Sequence, residues 1–169
     1  MKKALIVIDM QKDFVDGALA NVDAQAIVTP IAERALDYDG DIIATRDTHG
    51  ENYLSSPEGK KLPVPHCIQG TDGWEIVTEI AAALKKRKAL VFDKPTFGYL
   101  GWDCLADYDE VEMVGTCTDI CVVSNALILK AKFPTLTVKI NAPLCAGTSA
   151  DNHNAALQTM RMCQCEVMD

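Results

Sequence analysis

The sequence predicts an α/β fold. The expected form is a single-domain, three-layer α/β/α arrangement over residues 1–169, built on a doubly wound, six-stranded parallel sheet in the Rossmann-like order 3-2-1-4-5-6. Three observations predict it. Short apolar runs alternate with stretches of helical spacing along the whole chain, the rhythm of βαβ units with right-handed crossovers. The first run, residues 4–9, is apolar up to its closing carboxylate, as expected of a strand covered on both faces. A chain of 169 residues, 49% hydrophobic and 24% charged, is long enough to bury one substantial core.

The elements follow in order. Residues 4–9 are the first strand and residues 11–17 a polar loop. Residues 23–36 carry helical spacing through Ile27, Ile31 and Ala35, with Pro30 the one awkward residue. Residues 41–45 are the second strand. Residues 46–72 are rich in Gly, Pro, Ser and Asn, and so long a loop inside a compact domain is usually functional or disordered. Residues 74–86 read as a helix with a basic end, and residues 89–92 as the third strand, closed by Asp93-Lys94-Pro95. A loop over 96–102 and a short helix over 102–108 lead to the fourth strand, 110–114. A helix over 119–132, a fifth strand over 136–140, a last helix over 151–162 and a short strand over 165–168 complete the chain. No repeat, low-complexity segment or linker interrupts it.

Composition removes several function classes. A net charge of −8 argues against nucleic acid or an anionic membrane as the main partner. No apolar stretch has the length of a bilayer span. The run after Lys2 and Lys3 is too short for a signal-peptide core and lacks a small-residue cleavage site. Seven cysteines, an odd number with no Cys-x-x-Cys pair, fit reduced thiols in a cytoplasmic protein and disfavour a zinc ribbon or a thioredoxin-type site. Cys163 and Cys165 read as core residues. No Gly-x-Gly-x-x-Gly follows the first strand, which disfavours a dinucleotide site.

In an open parallel sheet, ligands bind outside the carboxyl ends of the strands, where strand order reverses. Asp9 closes strand one, Asp47 and His49 follow strand two, Lys94 follows strand three and Cys121 follows strand four. All should gather at one edge, with Asp9 and Cys121 facing each other across the switch point. Taken singly, each has an ordinary alternative: a capping carboxylate, a solvated lysine, or a small buried thiol. Together, an acid, a base and a thiol at neighbouring strand ends make a nucleophilic set. Cys121 is expected in the first turn of a helix capped by Thr118 or Asp119, where the dipole and Lys94 would favour a thiolate while Asp9 shuttles the proton. The long loop adds Asp47-Thr48-His49 and His66, a carboxylate and two imidazoles that suit Zn²⁺ or another divalent ion, or else make ordinary hydrogen bonds. Cys67 is an alternative soft ligand, and His153 is read as structural.

Five motifs in order then carry a resemblance: residues 6–14 (IVIDMQKDF), 45–49 (TRDTH), 65–71 (PHCIQGT), Asp93-Lys94, and 115–122 (GTCTDICV). With them, nearly the whole chain resembles the isochorismatase-like cysteine hydrolase family, and within it the nicotinamidases. The resemblance implies a triad in which Cys121 attacks an amide carbon, Asp9 protonates the departing ammonia and then activates water, and Lys94 holds the thiolate. It implies an oxyanion hole from the backbone N–H groups of Cys117 and Cys121, beside a cis peptide between Thr116 and Cys117. It implies a divalent metal, Zn²⁺ or else Fe²⁺ or Mn²⁺, on Asp47, His49 and His66 with Glu58 as a further ligand. A tryptophan wall common in nicotinamidases is replaced here by Leu62 and Pro63, so Phe14, Phe97 and Tyr99 are expected to line the substrate. The implied reaction is nicotinamide to nicotinate plus ammonia by a homo-oligomeric enzyme. Alternatives are hydrolysis of another small carboxamide or ureido compound, or a non-catalytic metal-binding or interaction role. A vinyl-ether hydrolase is disfavoured, because such relatives lack both the cysteine and the metal loop.

Overall fold

The computed structural model describes residues 1–169. Its sheet has six strands in the order β3-β2-β1-β4-β5-β6: β1 Lys3–Ile8, β2 Asp41–Asp47, β3 Leu90–Lys94, β4 Glu110–Thr116, β5 Thr137–Ala146 and β6 Glu166–Met168. Every neighbouring pair is parallel, as the sequence predicts. The helices are α1 Lys12–Val15, α2 Val22–Ala26, α3 Val28–Asp37, α4 Pro57–Lys61, α5 Thr78–Lys86, α6 Val123–Lys132 and α7 Ala150–Met162. None is long and apolar enough to cross a membrane.

The central strand shows how two cores arise from one sheet. Side chains alternate across a strand, so Ala4, Ile6 and Ile8 pack with Ala126, Leu129, Leu157 and Met160 of α6 and α7. Leu5 and Val7 pack on the other face with Ile31 and Ala35 of α3 and Ile80 and Leu84 of α5. Each fully buried Leu or Ile contributes about 1.5–3 kcal/mol. An unbroken apolar run is the only pattern that serves both layers.

Several element boundaries differ from the sequence reading, each for a physical reason. The helix expected over 23–36 is two helices hinged at Ile27, and Pro30 lies in the first turn of the second, where its missing N–H costs no helical bond. The helix expected from Trp74 begins at Thr78. The preceding residues are held instead by the loop after β1, through Lys12 N–H to Glu75 O at 2.9 Å and Val77 N–H to Met10 O at 3.0 Å. The short helix expected over 102–108 is a 3₁₀ turn, Trp102–Leu105. The fifth strand runs on to Ala146 past Asn141 and Pro143, because its pairing with β4 is interrupted where proline could not donate. Cys165 is buried as expected, but Cys163 is exposed at the end of α7 rather than in the core.

Two differences bear on function. β2 and β3 extend to Asp47 and Lys94, which are paired residues inside the sheet rather than loop residues beyond it. Cys121 lies in a π-helical turn, Thr118–Val122, ahead of α6 rather than in the first turn of an α-helix. The turn is brought against β1 by Gly115. Its φ is +120°, and a β-carbon there would run into the backbone of Ile8.

Candidate active site

The carboxyl ends of β1, β2, β3 and β4 place Asp9, Asp47, Lys94 and Cys121 in one buried cluster. Asp9 is fully buried with φ +48°, a left-handed conformation that Asp tolerates better than most residues. Its N–H donates to Thr45 O at 3.2 Å, and Thr45 Oγ1 donates to Asp9 Oδ1 at 2.7 Å. The other oxygen, Oδ2, lies 2.7 Å from Lys94 Nζ in an ion pair, although no donor is aligned on it as a hydrogen bond. Lys94 Nζ is also 3.5 Å from Cys121 Sγ and 3.5 Å from Asp47 Oδ1, and it donates to Thr96 O at 3.1 Å. Both side chains of the Asp9–Lys94 pair are 0% exposed.

Burial decides the electrostatics. It raises the Asp9 carboxyl above the usual carboxylate range, Lys94 pulls it back, and Asp47 adds to the rise. Burial alone would lower Lys94, but Asp9, Cys121 and Asp47 outweigh it and keep an ammonium there. The Cys121 thiol is pushed well above its ordinary value by burial and by Asp9, with Lys94 pulling the other way. Burial and Asp9 thus oppose the thiolate that the helix start and Lys94 are expected to favour, while the Asp9 carboxyl beside the sulfur is raised in basicity. Burial likewise pushes Cys117 up to about 11 and Cys145 up to about 12; what sets Cys121 apart is the Lys94 ammonium 3.5 Å from its sulfur.

The second cluster shares Asp47. His49 Nε2 is 2.9 Å from Asp47 Oδ2, His66 Nε2 is 3.7 Å from the same oxygen, and both nitrogens are 3.7 Å from Glu58 Oε1. All four donor atoms lie within 4.8 Å of one another. A tetrahedral ion with bonds of about 2.1 Å sets its ligand atoms about 3.4 Å apart, so the spacing fits a divalent cation. The outer contacts fit as well. His66 Nδ1 bonds to Val64 O at 2.8 Å, which turns Nε2 inward. Asp47 is raised by burial but held below the usual range overall by the two imidazoles and Lys94. Burial would lower His66, and the nearby Asp47 carboxylate together with the bond to Val64 O raises it instead. Cys67 stands outside the cluster: its N–H is tied to Asp13 Oδ2 at 2.8 Å and burial drives its thiol far upward. His153 accepts or donates at Thr118 Oγ1, 2.8 Å away, a structural role behind the Cys121 turn.

A cavity of about 1290 Å³ joins the two clusters, with Phe14, Leu62 and Phe97 on its walls and Cys117, Cys121 and the four metal-type donors at its base. Cys117 follows a cis peptide from Thr116. Tyr99 is not on the wall. Its ring stacks on Phe92 at 5.2 Å and meets Trp102 edge-on at 5.0 Å, so it is half-buried against the core instead. Sequence reasoning missed Thr45, which orients Asp9, and Gln11. The Gln11 side chain donates to Asp47 O and Trp74 O at 2.8 Å each and accepts from Asp47 N–H at 2.7 Å. A polar residue within or just after an otherwise apolar strand run was the available signal for both.

Fold and cluster together define a doubly wound α/β protein with an Asp–Lys–Cys centre opening beside a metal-type donor set. The chain belongs to the isochorismatase family: the isochorismatase domain matches residues 3–169. It is 31% identical to the nicotinamidase/pyrazinamidase of Mycobacterium tuberculosis, over 98% of this chain and 98% of that protein. Its structure matches that of the nicotinamidase/pyrazinamidase of Bacillus subtilis with a TM-score of 0.89 at 26% identity, covering 100% of both chains. It also matches the pyrazinamidase of Pyrococcus horikoshii in complex with zinc, with a TM-score of 0.80 at 26% identity over 100% of this chain and 99% of that one.

Proposed function

We propose that this protein is an amidohydrolase that converts nicotinamide to nicotinate and ammonia through a thioester on Cys121. The observation that carries the reading is the Lys94 ammonium, buried and within 3.5 Å of both Cys121 Sγ and the shared Asp47, with Asp9 2.7 Å away. The nicotinamidase/pyrazinamidase relative, matched along its whole length, supports the substrate.

Cys121 Sγ gives its proton to Asp9, whose raised basicity suits it to receive one, and attacks the carboxamide carbon. Lys94 compensates the charge that appears on sulfur. The carbonyl oxygen takes up the electron pair facing the backbone N–H groups of Cys117 and Cys121. As the C–N bond breaks, Asp9 returns the proton to nitrogen and ammonia leaves. Water then attacks the thioester and gives a proton to Asp9; as the C–S bond breaks, Asp9 passes that proton to the departing sulfur, which releases the acid and restores the thiol and the Asp9 carboxylate. Asp47, His49, Glu58 and His66 would hold a divalent ion, and Phe14 and Phe97 would flank the ring. When bound, the ion supplies a Lewis-acid anchor for the pyridine nitrogen. The zinc complex of the Pyrococcus relative favours Zn²⁺ over Fe²⁺ or Mn²⁺.

The test is ammonia release from nicotinamide by protein loaded with each of the three ions. Turnover that disappears in Cys121→Ala supports the reading. A wild type inert to nicotinamide but active on another small amide, with the same dependence on Cys121, would overturn the substrate and keep the class.

A further inference from the structure

Asn125 follows Cys121 by four residues, in the first turn of α6, and is entirely buried. Its side chain has two donors and two acceptor lone pairs, and all four are used. Nδ2 donates to Cys121 O at 2.8 Å and to Phe97 O at 3.2 Å. Oδ1 accepts from Tyr99 N–H at 2.8 Å and from Trp102 Nε1 at 3.1 Å. One carboxamide thus bonds to the turn that carries the nucleophile and to both sides of Gly98 in the loop after β3. That loop also supplies Thr96 O, the carbonyl bonded to Lys94 Nζ at 3.1 Å. Gly98 lets the loop lie directly on α6, since a β-carbon there would collide with Ile128 Cδ1.

We propose that Asn125 is a positioning residue for the reaction. By gripping Cys121 O, Phe97 O and Tyr99 N–H at once, it sets the thiol, the Phe97 wall and the carbonyl under Lys94 at fixed separations. The proposal rests on the amidohydrolase reading. The bland account is that Asn125 is buried glue, in which case its loss lowers stability and nothing else. Trp102 separates the two accounts, because its Nε1 bond reaches neither the nucleophile turn nor residues 96–99. Trp102→Phe removes that single donor and keeps an aromatic ring in place.

The experiment compares Asn125→Leu, Asn125→Ser and Trp102→Phe as metal-loaded proteins. It measures melting temperature, KM for nicotinamide, and kcat per mole of Cys121 that iodoacetamide alkylates, read on the Cys121 peptide by mass spectrometry. Displacing reacting groups by a fraction of an ångström costs on the order of tenfold, so the Asn125 variants should show KM raised and kcat per reactive thiol lowered by about that factor. Trp102→Phe should lower the melting temperature and leave both constants within about twofold of wild type, because it removes one donor to Asn125 Oδ1 while the bonds from Asn125 to Cys121 O, Phe97 O and Tyr99 N–H remain. If Asn125→Leu does not fold, the smaller Asn125→Ser decides. A lowered melting temperature with KM and kcat per thiol within twofold of wild type overturns the proposal. If wild type does not turn over nicotinamide, the proposed function fails, and the Cys121 alkylation rate still decides Asn125: slowed in its variants and not in Trp102→Phe supports the role, unchanged in all overturns it.

Discussion

The Asp9–Lys94–Cys121 centre is made of strand ends and the turn after a strand, and the side chains of its ion pair are 0% exposed. The Asp47–His49–Glu58–His66 cluster hangs largely on the connection between β2 and α5, where His49 is 9% and Glu58 23% exposed. The first is held by the sheet's own register, which pairs Asp47 with Lys94 and Ile8 with Gly115. The second is held by single bonds across a loop, such as His49 N–H to Cys67 O at 3.0 Å and Gln69 N–H to His49 O at 2.9 Å. Their charges differ as well. Three carboxylates (Asp9, Asp47, Glu58) face one ammonium (Lys94), so with neutral imidazoles and thiol the joined clusters carry two uncompensated negative charges. The catalytic centre is complete in itself, whereas the donor cluster has a place for a divalent cation. Asp47 is the one residue that belongs to both.

The comparison can be broken most sharply at the sulfur. Cys121→Ala should lower kcat by about 10⁴-fold or more, the scale of losing a nucleophile, and leave zinc affinity measured by competition with a chelating dye unchanged. Asp9→Asn keeps the shape and removes the proton carrier, and should cost about 10²–10⁴-fold in kcat, with zinc again bound. Asp9→Asn losing zinc as strongly as His66→Ala does would show that the two regions are not separable. Chelation works from the other side. Stripping the ion should lower kcat/KM and the melting temperature, the latter because a ligand of the folded state stabilises it by mass action. Alkylation of Cys121 should continue at a rate within about twofold, since the thiol's neighbours are protein groups rather than the ion. The smallest effect is expected at the rim. Glu58→Gln should weaken zinc binding by about 10- to 100-fold and raise KM with little change in kcat, because this donor is the most exposed of the four.

What was legible in the chain follows the same division. The unbroken apolar run of β1, the alternation of strands and helical spacing, and the rule that ligands gather at the switch point were enough to bring Asp9, Lys94 and Cys121 together. Strand order is a consequence of hydrophobic pattern and crossover handedness, both of which are written locally. The donor cluster was legible through Asp47, His49 and His66, but Glu58 needed the resemblance, since nothing in the spacing of α4 aims it at two histidines. Tyr99 was misplaced. An aromatic residue in a loop has no periodicity to say which way it faces, and the pair formed by Phe92 and Trp102 drew it inward. The forces opposing a thiolate at Cys121 were not legible for a related reason. A helix start is visible in sequence, whereas full burial beside Asp9 is not.

The sequence by itself determined the layer order, the parallel sheet and the edge at which the chemistry sits, because those follow from side-chain period and chain connectivity. Only the tertiary structure decided what each polar group experiences there. It made Thr45 the support of the Asp9 carboxylate and Gln11 the support of the Asp47 backbone, gave Asn125 four partners from two separate segments, and pushed the Cys121 thiol and the Asp9 carboxyl upward together. Burial and hydrogen bonding depend on distances between residues far apart in the chain, and those distances exist only once the sheet has closed.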